Sequence, residues 1–475
     1  MSTAIPQGCD FKWVRAERIC ANKMYKFSHL FNKMGMTKKQ NASEPLSNEE
    51  KELLEQLREH PDLLVRFKSV LAITGTAGTA RKTADEVEGL LIEELRRLGQ
   101  TGMKQWAVGA EARSSQAFKE QEPQARSRKK KTLKWWCVFG LVEVRERIWR
   151  TPSQSYVRIL PEQLGVTPRG RSHQLDRVLT DFGCEHSFLR AAESVQEHYG
   201  FALGASAIRA ATLEHAQRAR VQLQAGYAEP FRVLPATGAP QVIAQTDGTM
   251  ICTVGPGKRK GSRPRAWQEM RLVATQAQAQ VTTVYAATFG SVAEVGRRWG
   301  HCARDAGWGL NSQIHAVGDG ADWIRLQSRE VFREQGTFLC DFYHVSEYLG
   351  AAALTCAGSR AQPWRRTQQK RLRRGAVPLV IAALAEHLEP VETPEEEAPV
   401  RNAHRYLTNR TDCLDYPRAL GLGLPIGSGL IESGHRHVLH ARLKKAGTAW
   451  LHDTADQIAH LRVLRANRLW QSFWN

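Results

Sequence analysis

The sequence predicts an α/β core, a mixed five-stranded sheet with a helical insertion, preceded by a mainly α-helical N-terminal region. Three observations predict it. Over residues 241–341 apolar runs and helical patterns alternate in the order β-β-β-α-β-α-β. Two of those runs deliver one carboxylate each into small residues, Asp247 in Thr246-Asp247-Gly248-Thr249 and Asp319 in Gly318-Asp319-Gly320-Ala321. Between Asp319 and Glu432 lies far more chain than one connection needs, and most of it has helical periodicity.

Taken in order, residues 1–46 form a basic, weakly periodic leader with no assigned role. Residues 47–124 are expected to be helical. Ser47-Asn48-Glu49-Glu50 has the pattern of a capping box, Pro61 interrupts the helix it opens, and a second amphipathic helix spans Ala84 to Leu98 and stops at Gly99. Residues 125–171 hold a basic run, Ala125 to Lys131, read as either a solvated tether or a phosphate-gripping segment. A hairpin turning at Gly140 follows it. Its outward Arg145 and Arg147 suit either DNA or ordinary protection of a strand edge.

Residues 172–222 carry three helical patterns, Gln174 to Phe182, Phe188 to Tyr199 and Ala205 to Arg220. The spacing around Gly200 fits a helix-turn-helix whose recognition helix opens with Ser206 and Arg209, and fits any compact helical hairpin equally. A Pro-rich stretch to Pro240 marks a boundary. The first part of the core is placed at 241–344, the helical insertion at 345–425, and the completion of the core, with Glu432 in the first turn of a helix, at 426–475. A basic Gly-Pro loop with Lys258, Arg259, Lys260, Arg263 and Arg265 follows the first strand. A last amphipathic helix covers Thr454 to Leu469 and is expected to pack or to pair subunits.

The formal charge of +19 points to a polyanionic partner, most often nucleic acid. Nine cysteines are scattered singly with no C-x-x-C pair, as in reduced thiols rather than a disulfide frame. The longest apolar run, Ala376 to Ala385, is too short to span a bilayer, and the first residues lack the charged and apolar regions of a secretory signal. The expectation is a bacterial cytoplasmic protein associated with the nucleoid.

Asp247, Asp319 and Glu432 on separate elements, with Arg442, Lys444 and Lys445 beyond the third, suggest a divalent-metal site facing a polyanion. Hard cations prefer carboxylate oxygens, and two Mg²⁺ ions ~4 Å apart, with Mn²⁺ as a substitute, suit phosphodiester chemistry. In that reading Asp247 bridges both ions while Asp319 and Glu432 each complete one shell. Lys444, Lys445 and the basic loop hold phosphates. Trp450 reads as a buried side chain or a base-stacking one.

Thr246-Asp247-Gly248-Thr249, Gly318 to Ile324, Asp341-Phe342-Tyr343-His344 and Ile426 to Ser433, followed by Arg442 to Gly447 and Trp450, resemble the Kra group of bacterial insertion-sequence transposases. The resemblance runs from about residue 84 to the C-terminus. It implies an RNase H-like core, a DDE triad of Asp247, Asp319 and Glu432, and a D-x-x-H element, Asp341 and His344, that supports the site. It also implies a Mg²⁺-dependent DNA transposase acting on double-stranded element ends and target DNA, as a homodimer or higher assembly in a synaptic complex. It supplies no DNA-binding motif for residues 1–170. The competing readings are an RNase H-like nuclease that cuts without joining and an inactive, transposase-derived DNA-binding protein.

Overall fold

The computed structural model describes residues 46–75, 81–153, 155–255 and 264–475. The chain forms two compact units, Met1–Ser172 and His173–Asn475.

In the first unit, helix α1 (Asn48–Glu59) opens with the expected capping box, Ser47 Oγ accepting from Glu50 N and Glu50 Oε2 accepting from Ser47 N at 2.8 Å. Pro61 occupies the first position of α2 (Pro61–Thr74), where its missing N–H costs nothing. Helix α3 (Ala84–Gln121) is capped by Thr83 and Glu86 and runs 38 residues, straight through Gly99 where a stop was expected. Gly99 is a packing notch: a Cβ there would lie 2.5 Å from Cδ1 of Phe139.

The basic run is likewise no tether. It forms the first half of β1 (Arg126–Cys137), which pairs antiparallel with β2 (Gly140–Arg150) from Arg126↔Arg150 to Cys137↔Gly140. Backbone pairing outweighs the weak strand preference of lysine. Strand β3 (Tyr156–Val157) and the short α4 (Leu160–Gln163) follow. Leu133, Trp135, Val142 and Val144 pack against Ala107 and Ala110 of α3, and this is the unit's core.

The second unit begins with α5 (His173–Glu185), α6 (Phe188–Tyr199) and α7 (Ala205–Ala228). The sheet comprises β4 (Gln241–Val254), β5 (Arg265–Ala277), β6 (Val284–Thr288), β7 (Gln313–Gly318) and β8 (Gly336–Cys340), in spatial order β6-β5-β4-β7-β8. Helix α8 (Val292–Asp305) joins β6 to β7, and α9 (Asp322–Phe332) joins β7 to β8. Strands β4, β5 and β6 pair antiparallel, while β7 runs parallel to both β4 and β8. This is a mixed sheet in the expected element order, with one difference. Asp247 lies mid-strand rather than at a strand tip, because β5 pairs with β4 without a break, Asp247 opposite Leu272 and Gly248 opposite Arg271.

The insertion is helical as expected: α10 (Phe342–Ala357), α11 (Ala361–Arg373), α12 (Val377–Ala385), α13 (Pro399–Thr408) and α14 (Tyr416–Gly421). Leu349, Leu372, Val380 and Leu407 form a core continuous with Val317 and Leu339 of the sheet. The chain returns through α15 (Gly429–Gly434), a π-helical segment His435–His440, and α16 (Ala441–Leu443). Strand β9 (Trp450–Leu451) pairs with the end of β4, and α17 (His452–Ala466) and α18 (Trp470–Trp474) close the unit. Helix α17 is more buried than an amphipathic surface helix: Ile458, Leu461, Val463, Leu464, His460 and Arg462 are all covered, and it packs on α7 and β6. The seven described cysteines are free thiols, and among the described residues no helix is long and apolar enough to cross a membrane.

Candidate functional site

The last parallel pair between β4 and β7 is Gln245↔Val317, so Asp247 and Asp319 each stand two residues beyond it on neighbouring strands. Glu432 comes from the first turn of α15. All three line one cleft of about 570 Å³, together with Asp341, Tyr343, His344, Glu347 and Ser428. Asp247 Oδ1 accepts from Gly248 N at 2.7 Å, and its Oδ2 lies 3.5 Å from Nε2 of His435. Asp319 Oδ1 accepts from Ala321 N at 2.8 Å, fixing the turn that follows β7. The Glu432 carboxylate is exposed and has no hydrogen-bond or ion-pair partner among the described residues.

Two side chains hold the segment that delivers Glu432. Gln245, almost fully buried, donates from Nε2 to the carbonyl of Gly427 at 3.2 Å and accepts at Oε1 from Ile431 N at 2.9 Å. Asp341 caps α10 by accepting at Oδ1 from Tyr343 N and His344 N, while its Oδ2 accepts from both the N–H and the hydroxyl of Ser428. Asp341 therefore supports the site as a strut, with both carboxylate oxygens already engaged. Sequence reasoning missed Gln245. Its signal was a lone amide in an apolar strand two residues before Asp247. His344 sits at the cleft wall with Nδ1 3.5 Å from Glu347 and its ring edge-on to Tyr348 and Tyr406.

The π-helical segment brings further imidazoles, also missed, although His435, His437 and His440 form a visible run after Glu432. His435 is buried beside Asp247 with both ring nitrogens lacking a hydrogen bond. His440 Nε2 meets Thr249 Oγ1 at 2.9 Å, and Lys444 Nζ reaches the same hydroxyl at 3.3 Å. Burial, then the neighbouring His435 and Lys444, hold His440 below the usual histidine range.

The phosphate-binding expectations divide. Lys445 and Arg265 are exposed, Lys444 lies just past the end of α16, and Ser206 and Arg209 are exposed at the start of α7. Lys258, Arg259, Lys260 and Arg263 lie outside the described residues. Arg442 does not face a ligand. It is 2% exposed, donates from Nε to the Gly183 carbonyl, and sits over the rings of Phe188 and Trp450; burial pushes its pKa down to about 10. The helical turn carries it to the inner face of α16, where it struts the core. Trp450 is buried, with Nε1 bonded to the carbonyl of Leu443.

The donor set of the cleft is that of a hard cation: carboxylates from three elements, one of them unpartnered. Among the described residues no three His, Cys, Asp or Glu side chains already converge on a point where a metal ion would sit. Asp247 and Asp319 come from neighbouring strands and Glu432 from α15, its carboxylate without a partner among the described residues.

A model of an uncharacterised protein family (UPF0236) matches residues 310–471, about a third of the chain. The matched segment contains Asp319, Asp341, His344 and Glu432, and leaves out Asp247. No curated protein matches the sequence.

Proposed function

We propose that the chain is a DNA transposase of an insertion sequence, cleaving element ends and joining them to target DNA, with Asp247, Asp319 and Glu432 as its metal-holding carboxylates. The observation that carries this reading is that acids from β4, the end of β7 and α15 line one cleft of a basic protein. The strand order β6-β5-β4-β7-β8, with the first three strands antiparallel and the last two parallel, supports an RNase H-like core. Mg²⁺, or Mn²⁺ in its place, suits carboxylate donors; bound there, two ions supply activation of the nucleophile and neutralisation of charge at the phosphate. Asp247 and Asp319 are held in place by their strand and turn, Gln245 and Asp341 anchor the Glu432 segment, and Lys444 and Lys445 offer cations to the DNA backbone. The partners are double-stranded DNA and a second copy of the chain in a synaptic complex.

The test is a duplex ending in the inverted repeats that flank the reading frame, incubated with the protein, Mg²⁺ and a supercoiled plasmid. Joined products are expected. Asp319→Asn should lower cleavage and joining by about 10³-fold or more, with DNA binding retained. Cutting without joining identifies a nuclease. A wild type that binds DNA but neither cuts nor joins in Mg²⁺ or Mn²⁺ overturns the enzymatic reading.

A further inference from the structure

Five of the first six residues of β1 are cations: Arg126, Arg128, Lys129, Lys130 and Lys131. All are exposed, and among the described residues none forms an ion pair or a side-chain hydrogen bond. The register places charge where a self-contained hairpin would avoid it. Lys130 stands directly opposite Arg147, and like charges across a strand pair destabilise it; Arg147 has an acid in Glu111 of α3 at 3.8 Å, while Lys130 has none among the described residues. Glu146 stands opposite Lys131, but its side chain is turned inward, fully buried and paired with Arg158. Further along the same ladder Lys134 does have a partner in Glu143, so the unbalanced charge is confined to one end of the ribbon.

We propose that this end of the β1–β2 ribbon is a docking surface for double-stranded DNA. It deepens the transposase reading, on which it rests for the choice of DNA as the polyanion. β1 is the edge strand of the sheet β1-β2-β3, and the cationic half of that edge extends about 20 Å at roughly 3.3 Å per residue, long enough to follow a row of phosphates. Pleating sends Lys130 to the outer face with Arg147, and Lys129 and Lys131 to the face that Leu133 and Trp135 share farther along, where both lysines stay exposed. Protection of a strand edge needs one or two charges, not five without acids.

The experiment uses the full chain and fluorescence anisotropy with a labelled 30-bp random-sequence duplex across a salt series. The ribbon variant is Arg128→Gln/Lys129→Gln/Lys130→Gln/Lys131→Gln; a control, Lys51→Gln/Arg58→Gln/Lys68→Gln/Lys82→Gln, loses the same charge from exposed positions, three on helices and one just before α3. The ribbon variant should bind at least about tenfold more weakly, and its log–log salt slope should be shallower by about 3, as for lost phosphate contacts. The control should stay within about twofold of wild type, and circular dichroism should place both variants' melting within a few degrees of it. Wild-type affinity and slope in the ribbon variant, or an equal loss in the control, overturn the proposal. So does a ribbon that discriminates in favour of single-stranded DNA or duplex RNA. Because binding is read without turnover, a protein that never cleaves DNA leaves this result intact, and a working transposase with an indifferent ribbon defeats only the docking surface.

Discussion

At the scale of single residues, the cleft separates groups that do chemistry from groups that hold them. Gln245 belongs to the second kind. Its amide bonds one half-buried carbonyl and one buried N–H of the segment leading to Glu432. Removing it leaves Gly427 O without its amide donor, at about 1–3 kcal/mol for an orphaned group, and Ile431 N with only its 3.1 Å bond to the Ser428 carbonyl. Gln245→Ala is therefore expected to lower stability by roughly 1–3 kcal/mol, read from the urea midpoint. It should also depress Mg²⁺-dependent DNA cleavage well beyond any change in DNA affinity. A variant that loses stability but cleaves at the wild-type rate would remove Gln245 from the positioning role. Arg442 teaches the opposite lesson. A cation near an acidic motif reads as a phosphate ligand in sequence, but the turn of the helix decides which way it faces, and here it faces Gly183 and two aromatic rings.

At the scale of elements, His315 couples the sheet to the approach to Glu432. It lies fully buried on β7, donates from Nε2 to the carbonyl of Pro425 at 2.8 Å, and presents Nδ1 to Arg418, which also reaches Thr337 on β8. Burial, reinforced by the Arg418 charge, pushes its pKa down to about 4, while the Pro425 bond works the other way. The folded state thus keeps His315 neutral where the unfolded chain, titrating near 6.5, takes up a proton. Stability is full above about pH 6.5, falls as pH drops toward 4, and levels off below; the whole window is worth roughly 3 kcal/mol for this group. Urea midpoints at pH 7 and pH 4.5 should differ more in wild type than in His315→Gln, and equal pH dependence would sink the assignment. The elements themselves were legible to different degrees. Apolar runs bounded by turn residues gave the strand and helix order over 241–341, because that signal is local. Two glycines misled for one shared reason. Gly99 read as a helix stop and Gly248 as a turn, yet each marks a close approach from elsewhere, by Phe139 and by Glu269, whose Oε1 would lie 2.1 Å from a Cβ at 248. Contacts made across the sequence leave no trace in the local pattern. The basic run of β1 failed for the same reason: only its ladder to β2 makes it a strand.

At the scale of the molecule, the two units differ in what each contains. Residues 173–475 hold all the acids of the cleft, Gln245 and His315, and three of the apolar clusters, including the one that builds the helical insertion. Residues 46–172 hold a fourth cluster of their own and the basic ribbon. A unit of this size with its own cores is large enough to fold independently. The fragment 173–475 should therefore be soluble, unfold in one cooperative urea transition, and show the blue-shifted emission of buried Trp299, Trp308, Trp450 and Trp474. Lacking the ribbon, it should bind random-sequence duplex at least about tenfold more weakly than the full chain, with a shallower salt dependence. Undiminished binding by the fragment would place the main DNA contacts in residues 173–475. A fragment that is insoluble or melts without cooperativity would mean that the cores of the second unit do not suffice, and that the cleft depends on residues before His173 for its assembly.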